Sequence, residues 1–208
     1  MTDLENKHIP LPAREEGAQK DIEEKVEATT VDEAKQLFES AKRRLLNVNN
    51  WNKICGKASA DFNLTDEKGQ EIEGEPKVGF HLKIDIPGPG GSTGKGFDWV
   101  RVEAIEQNEN KNEDEEFVVM RVRPSDNPLV AEDDVAHFFS DKATSNFVVL
   151  REKNVVTAAV LGRNEIANTS KTHSFIDKLR NAVVGTGALG GLSKPQWKSL
   201  VRGVLNIH

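Results

Sequence analysis

Val78, Phe80, Leu82, Ile84 and Ile86 alternate with Gly79, His81, Lys83 and Asp85. Side chains along a strand point to opposite faces with a period of two, so this stretch predicts a half-buried strand. A second strand is predicted from Phe97 to Ile105, with Val100 and Val102 on one face and Trp99, Arg101 and Glu103 on the other. Between them lie Pro87-Gly88-Pro89-Gly90-Gly91, then Gly94 and Gly96. Proline has no amide hydrogen and glycine admits positive φ, so the ladder stops there. Ile54 to Leu64 reads as an earlier strand, with Ala58, Ala60, Phe62 and Leu64 on one face. Phe117 to Arg123 carries β-branched residues on both faces. Asn146 to Glu152 and Val155 to Leu161 flank Lys153-Asn154 as a tight hairpin, the second strand apolar except for Thr157.

Helices bracket these strands. Thr30 and Glu33 form a capping-box pattern, and Ala34, Leu37, Phe38, Ala41, Leu45 and Val48 then recur at three- and four-residue steps. Lys42, Arg43 and Arg44 fall near the end of this helix, where cations suit its dipole. A second helix is predicted from about Thr172, with Phe175, Ile176, Leu179, Ala182 and Val183 as its stripe, ended by the glycine-rich residues 185–191. A third starts at Ser193 and Pro195 and buries Trp197, Leu200, Val201, Val204 and Leu205. Residues 1–28 read as a flexible acidic tail with Pro10, Pro12 and only isolated apolar residues such as Ile22 and Val26, and 29–208 as one α+β domain. The expected fold is a curved antiparallel sheet of about six strands with an N-terminal helix and C-terminal helices.

The net charge of −6 and the absence of long basic runs exclude a general nucleic-acid binder. The single cysteine, Cys55, excludes an internal disulfide and a cysteine-cluster metal site. No apolar run spans a bilayer, and the opening MTDLENKHIP lacks the basic and apolar regions of a secretion signal. A cytoplasmic location is expected.

Three sequence features invite specific chemistry and fail their tests. A phosphate loop needs G-x-x-x-x-G-K-[ST] before a helix, but Pro89 replaces the first glycine of Gly94-Lys95, Gly96 follows the lysine, and a strand comes next. Residues 108–116, NENKNEDEE, lack the Asp-x-Asp-x-Asp-Gly core of a calcium loop and read as an exposed connection. Glu132, Asp133 and Asp134 precede His137, yet the five histidines, at 8, 81, 137, 173 and 208, form no pair at ligand spacing. No metal and no cofactor is expected.

The helix ending at Asn49-Asn50-Trp51, the strands Val78 to Ile86 and Trp99 to Ile105, and the amphipathic stretch Phe175 to Val184 together resemble the helix-grip superfamily, which includes START and polyketide-cyclase-like domains. The resemblance covers about residues 31–184 and is one of element order, without a residue motif. The superfamily's first strand is either missing here or drawn from residues 1–28, and its long closing helix is interrupted at Gly185. The resemblance implies a cavity between the sheet and the last helix that takes an apolar ligand.

Three functions compete on these residues. The favoured one is non-catalytic binding of an apolar small molecule, with Phe80, Leu82, Ile84, Trp99 and Phe117 as candidate lining; their plain alternative is ordinary core. A protein-interaction module or homo-oligomer would rest on Trp51, Trp99 and Trp197. An enzyme would use His81 and Asp85 as an acid–base pair, with Asp98 and Arg101 nearby.

Overall fold

A computed structural model of the chain describes residues 4, 9–12, 18–55, 60–85, 97–108, 114–130, 143–165 and 194–207. In chain order these hold β1 (Ala18–Glu27), α1 (Val31–Leu46), a 3-10 turn (Val48–Asn50), α2 (Trp51–Cys55), β2 (Asp61–Thr65), β3 (His81–Asp85), β4 (Asp98–Gln107), β5 (Glu115–Pro124), β6 (Thr144–Glu152), β7 (Val155–Glu165) and α3 (Lys194–Leu205). The strands form one seven-stranded sheet in the order β1-β7-β6-β5-β4-β3-β2, with every neighbouring pair antiparallel. Register shifts between Ala18 and Lys20 and between Val102 and Ala104 bend the ladder locally, as bulges do. The α+β architecture runs, among the described residues, as a strand, helices, six further strands and a closing helix.

Three expectations are corrected. Ala18–Glu27, read as tail, is the strand β1 and pairs with β7. Its inner face carries Ile22 and Val26, packed against the core, with Glu24 between them reaching Lys198 of α3 at 3.3 Å. Ile54 and Cys55 belong to the short helix α2, so the first strand after α1 begins only at Asp61. Val78 to Phe80 form a turn with Gly79 at φ +95°, and β3 starts at His81. The stretches 86–96, 131–142 and 166–193, with the long glycine connection, the acidic residues before His137 and the predicted second helix, lie outside the described residues.

The sheet buries both faces along β5, β6 and β7. On the inner face, Val118, Met120, Val122, Phe147, Val149, Val156, Ala158 and Val160 pack with the helices. At the centre, the fully buried Trp51 lies 5.0 Å from the Phe62 ring and 4.9 Å from the Phe147 ring. Its indole N–H donates to the Leu45 carbonyl at 3.0 Å, so this large side chain is buried without an orphaned donor. On the outer face, Val119, Val148, Leu150, Ala159 and Leu161 are covered by Leu4 and Ile9, with Leu11 and Phe117 packed against them.

The helices are fixed end to end. The Thr30 cap forms as predicted, with the Glu33 amide donating to Thr30 Oγ1 at 3.2 Å, while the Glu33 carboxylate accepts from the Thr29 amide, one residue before the cap, at 3.0 Å. Arg44, in the last turn of α1, donates to the Val204 carbonyl at 2.9 Å and so caps the C-terminal end of α3. There Asn206 adopts φ +60°, and the Ile207 amide bonds to Arg202 O at 2.9 Å, a Schellman closure. A Cβ on Gly203 would lie 2.3 Å from the Ile54 carbonyl oxygen, so glycine is required where α3 crosses α2.

Candidate functional site

Directly opposite residues of an antiparallel pair share a face, so the register sorts the candidate residues. Leu82 pairs with Val100 and Ile84 with Asp98, while His81 pairs with Arg101 and Lys83 with Trp99. Leu82 and Ile84 belong to the inner core, with Phe80 and Val100 packed against it. The inner wall of β3 and β4 is therefore Phe80, Leu82, Ile84, Asp98 and Val100. The described helices lie mainly over β1, β6 and β7, with α2 and the 3-10 turn against β2. On the inner face near this wall, Phe80, Val100 and Ile105 are only half-buried, whereas Leu82 and Ile84 are 1% and 4% exposed.

Asp98 is the one acidic residue on this wall. It has no hydrogen bond or ion pair with the described residues. Burial alone pushes its carboxyl up to about 6, because desolvation disfavours the charged form. The cations of the same two strands, Lys83 and Arg101, stand on the opposite face.

That outer corner is a separate assembly. The His81 and Trp99 rings meet edge to face with centroids 6.4 Å apart. Burial, followed by the nearby Arg101 charge, holds the His81 imidazole below its ordinary value, against the opposing effect of the Asp66 carbonyl 3.4 Å from Nδ1. Lys83 lies over the Phe97 ring at 4.1 Å and pairs with Glu71 at 2.9 Å.

The five predicted lining residues therefore divide. Phe80, Leu82 and Ile84 share the inner wall, Trp99 faces outward beside Lys83, and Phe117 packs in the outer cluster. Strand alternation is the reason: Trp99 is one residue from Val100 and Phe117 one residue from Val118, both of which face inward. The proposed acid–base pair is not assembled either. His81 and Asp85 lie at opposite ends of β3, four steps of about 3.3 Å apart, whereas proton transfer needs hydrogen-bond contact. Asp85 is exposed, and Asp98 is on the other face. All three tryptophans, offered as interaction anchors, are buried: Trp51 at 0%, Trp99 at 5% and Trp197 at 4% exposure. Among the described residues no group of three or more His, Cys, Asp or Glu side chains is placed to hold a metal ion. No helix among them is long and apolar enough to cross a membrane.

No family model matches the chain, and no match to a curated protein is found. Solved structures with a similar fold include the ginseng major latex-like protein 151 from Panax ginseng, at 14% identity over 91% of this chain and 97% of that one, with a TM-score of 0.38. A truncated norcoclaurine synthase from Thalictrum flavum is similar at 11% identity over 96% and 100% of the two chains, with a TM-score of 0.41. A protein from Arthrobacter aurescens is similar at 12% identity over 90% and 86%, with a TM-score of 0.37.

Proposed function

We propose that this chain is a non-catalytic binder of an apolar small molecule, held against the inner face of β3 and β4. The observation that carries this reading is the half-burial of Phe80, Val100 and Ile105 beside Leu82 and Ile84, on the part of the inner face that the described helices leave uncovered. Apolar walls with few polar groups are the usual make-up of small-molecule sites. Phe80, Leu82 and Ile84 remain in the proposed lining, Val100 and Ile105 join it, and Trp99 and Phe117 leave it because they face outward.

Thermal melts with a panel of fatty acids and aromatic polyketide-like compounds test the reading. A ligand present at about a hundred times its Kd adds about 2.7 kcal/mol. For a chain of this size that raises the Tm by about 5–10 °C, at about 2–4 °C per kcal/mol. A flat response across the panel, with no small molecule retained in native mass spectra of freshly purified protein, overturns the proposal.

A further inference from the structure

We infer that Asp98 is the polar anchor of this binding site and that it selects ligands whose apolar body carries a cationic amine. The inference rests on the binding proposal above and adds the class of ligand. Its basis is placement. The ladder puts Asp98 opposite Ile84, with Val100 two residues along the same face, itself paired with Leu82 on β3 and Pro124 on β5. An acidic side chain at the start of a strand normally stands in water or meets a cation. Asp98 is half-buried, and no described residue bonds to it.

Every nearby cation of the ladder is turned away. Lys83 and Arg101 lie on the other face, and so does Arg123, which pairs with Arg101 across the sheet and bonds Glu103. A carboxylate among Ile84, Val100 and Pro124 is poorly solvated, so a charge-assisted hydrogen bond to an incoming ammonium is stronger there than in water. The same carboxylate disfavours an anionic ligand, since two like charges in a weakly solvated site repel. Leu82, Ile84 and Phe80 would take the apolar body.

Isothermal titration of the full chain at pH 7.5 with decylamine, decanol and decanoate, each below its micelle concentration, tests this. The wild-type chain should bind decylamine at least tenfold more tightly than decanol, and decanoate more weakly than decanol. In Asp98→Asn the preference for the amine over decanol should vanish. Equal binding of amine and alcohol by the wild-type chain overturns the role of Asp98 and leaves the apolar site standing, a comparison that does not depend on the variant folding. Undiminished amine preference in Asp98→Asn also overturns it. If none of the three compounds binds, the apolar site itself fails and the anchor with it.

Discussion

The two halves of the sheet are built on different terms. Along β5, β6 and β7 both faces carry an apolar layer: helices cover one, and Leu4, Ile9 and Leu11 cover the other. Along β3 and β4 the outer face sets Lys83, Arg101 and Glu103 beside the buried His81 and Trp99, and the inner face mixes Leu82 and Ile84 with a carboxylate that no described residue bonds. In the first half the buried polar side chains are partnered: Arg151 bonds Glu116, Arg163 bonds Asp21, and Asn146 donates to the Leu161 carbonyl. In the second, Asp98 has no bond to any described residue, and such departures concentrate where a protein does something other than fold.

Substitutions can sharpen this contrast. The largest difference is expected between Leu161→Ala and Lys83→Ala, both on the outer face. Leu161 is fully buried, and its truncation should cost about 2–5 kcal/mol. Lys83 holds a partly exposed ion pair, and its loss should cost less than about 1 kcal/mol. Urea unfolding of both variants reads this directly; a Leu161→Ala value under 1 kcal/mol would mean that the outer layer is no core.

Asp98 gives the next effect, and it depends on pH. Its folded-state value of about 6 lies above the ordinary 3.8, so between those values the folded chain holds a proton that the unfolded chain has released. Stability therefore falls as pH rises from about 4 to 6 and levels off above. At about 1.36 kcal/mol per unit the penalty is at most about 3 kcal/mol. Asp98→Asn should be more stable than the wild-type chain at pH 7.5, and the gap should close below pH 4. A gap of constant size across that range would place the carboxyl in water.

Gly203→Ala should cost about 1–3 kcal/mol, since the added methyl meets the Ile54 carbonyl and α3 must shift from α2. Binding at β3 and β4 should change less than stability, because the strained contact lies where α3 crosses α2, against β2 rather than β3 and β4. Equal losses in stability and affinity would show that the halves are not separable.

β3 and β4 were legible because apolar and polar residues alternate there, β5 to β7 because short β-branched runs are bounded by turn residues, and α1 because its capping box and stripe agree. β1 was not. Its only apolar residues described as packing inward are Ile22 and Val26, with Glu24 between them, and it is held chiefly by backbone pairing with β7. No composition signal reports that pairing. α2 is too short to show a helical period, so Ile54 was absorbed into the strand that follows. The second apolar layer had a visible sign in Phe117-Val118-Val119-Met120 and in the continuous run of β7, since strands apolar on both faces need two covers. That the cover is Leu4, Ile9 and Leu11 was hidden, because isolated apolar residues among charges look the same in a tail. Asp98 was singled out beside the glycine loop, but only the register separated it from His81 and Arg101.

The pairing of β1 with β7 also sets a timetable. Val26 meets Val156, so the sheet cannot close until most of the chain has left the ribosome. At about 5–20 residues per second, β1 waits on the order of ten seconds for its partner. A long apolar strand left unpaired for that time would invite association with other nascent chains. Asp21, Glu23, Glu24, Lys25 and Glu27 make this one a poor template for such contacts. The charge that disguises β1 as a tail thus keeps it from pairing elsewhere while β7 is still being made.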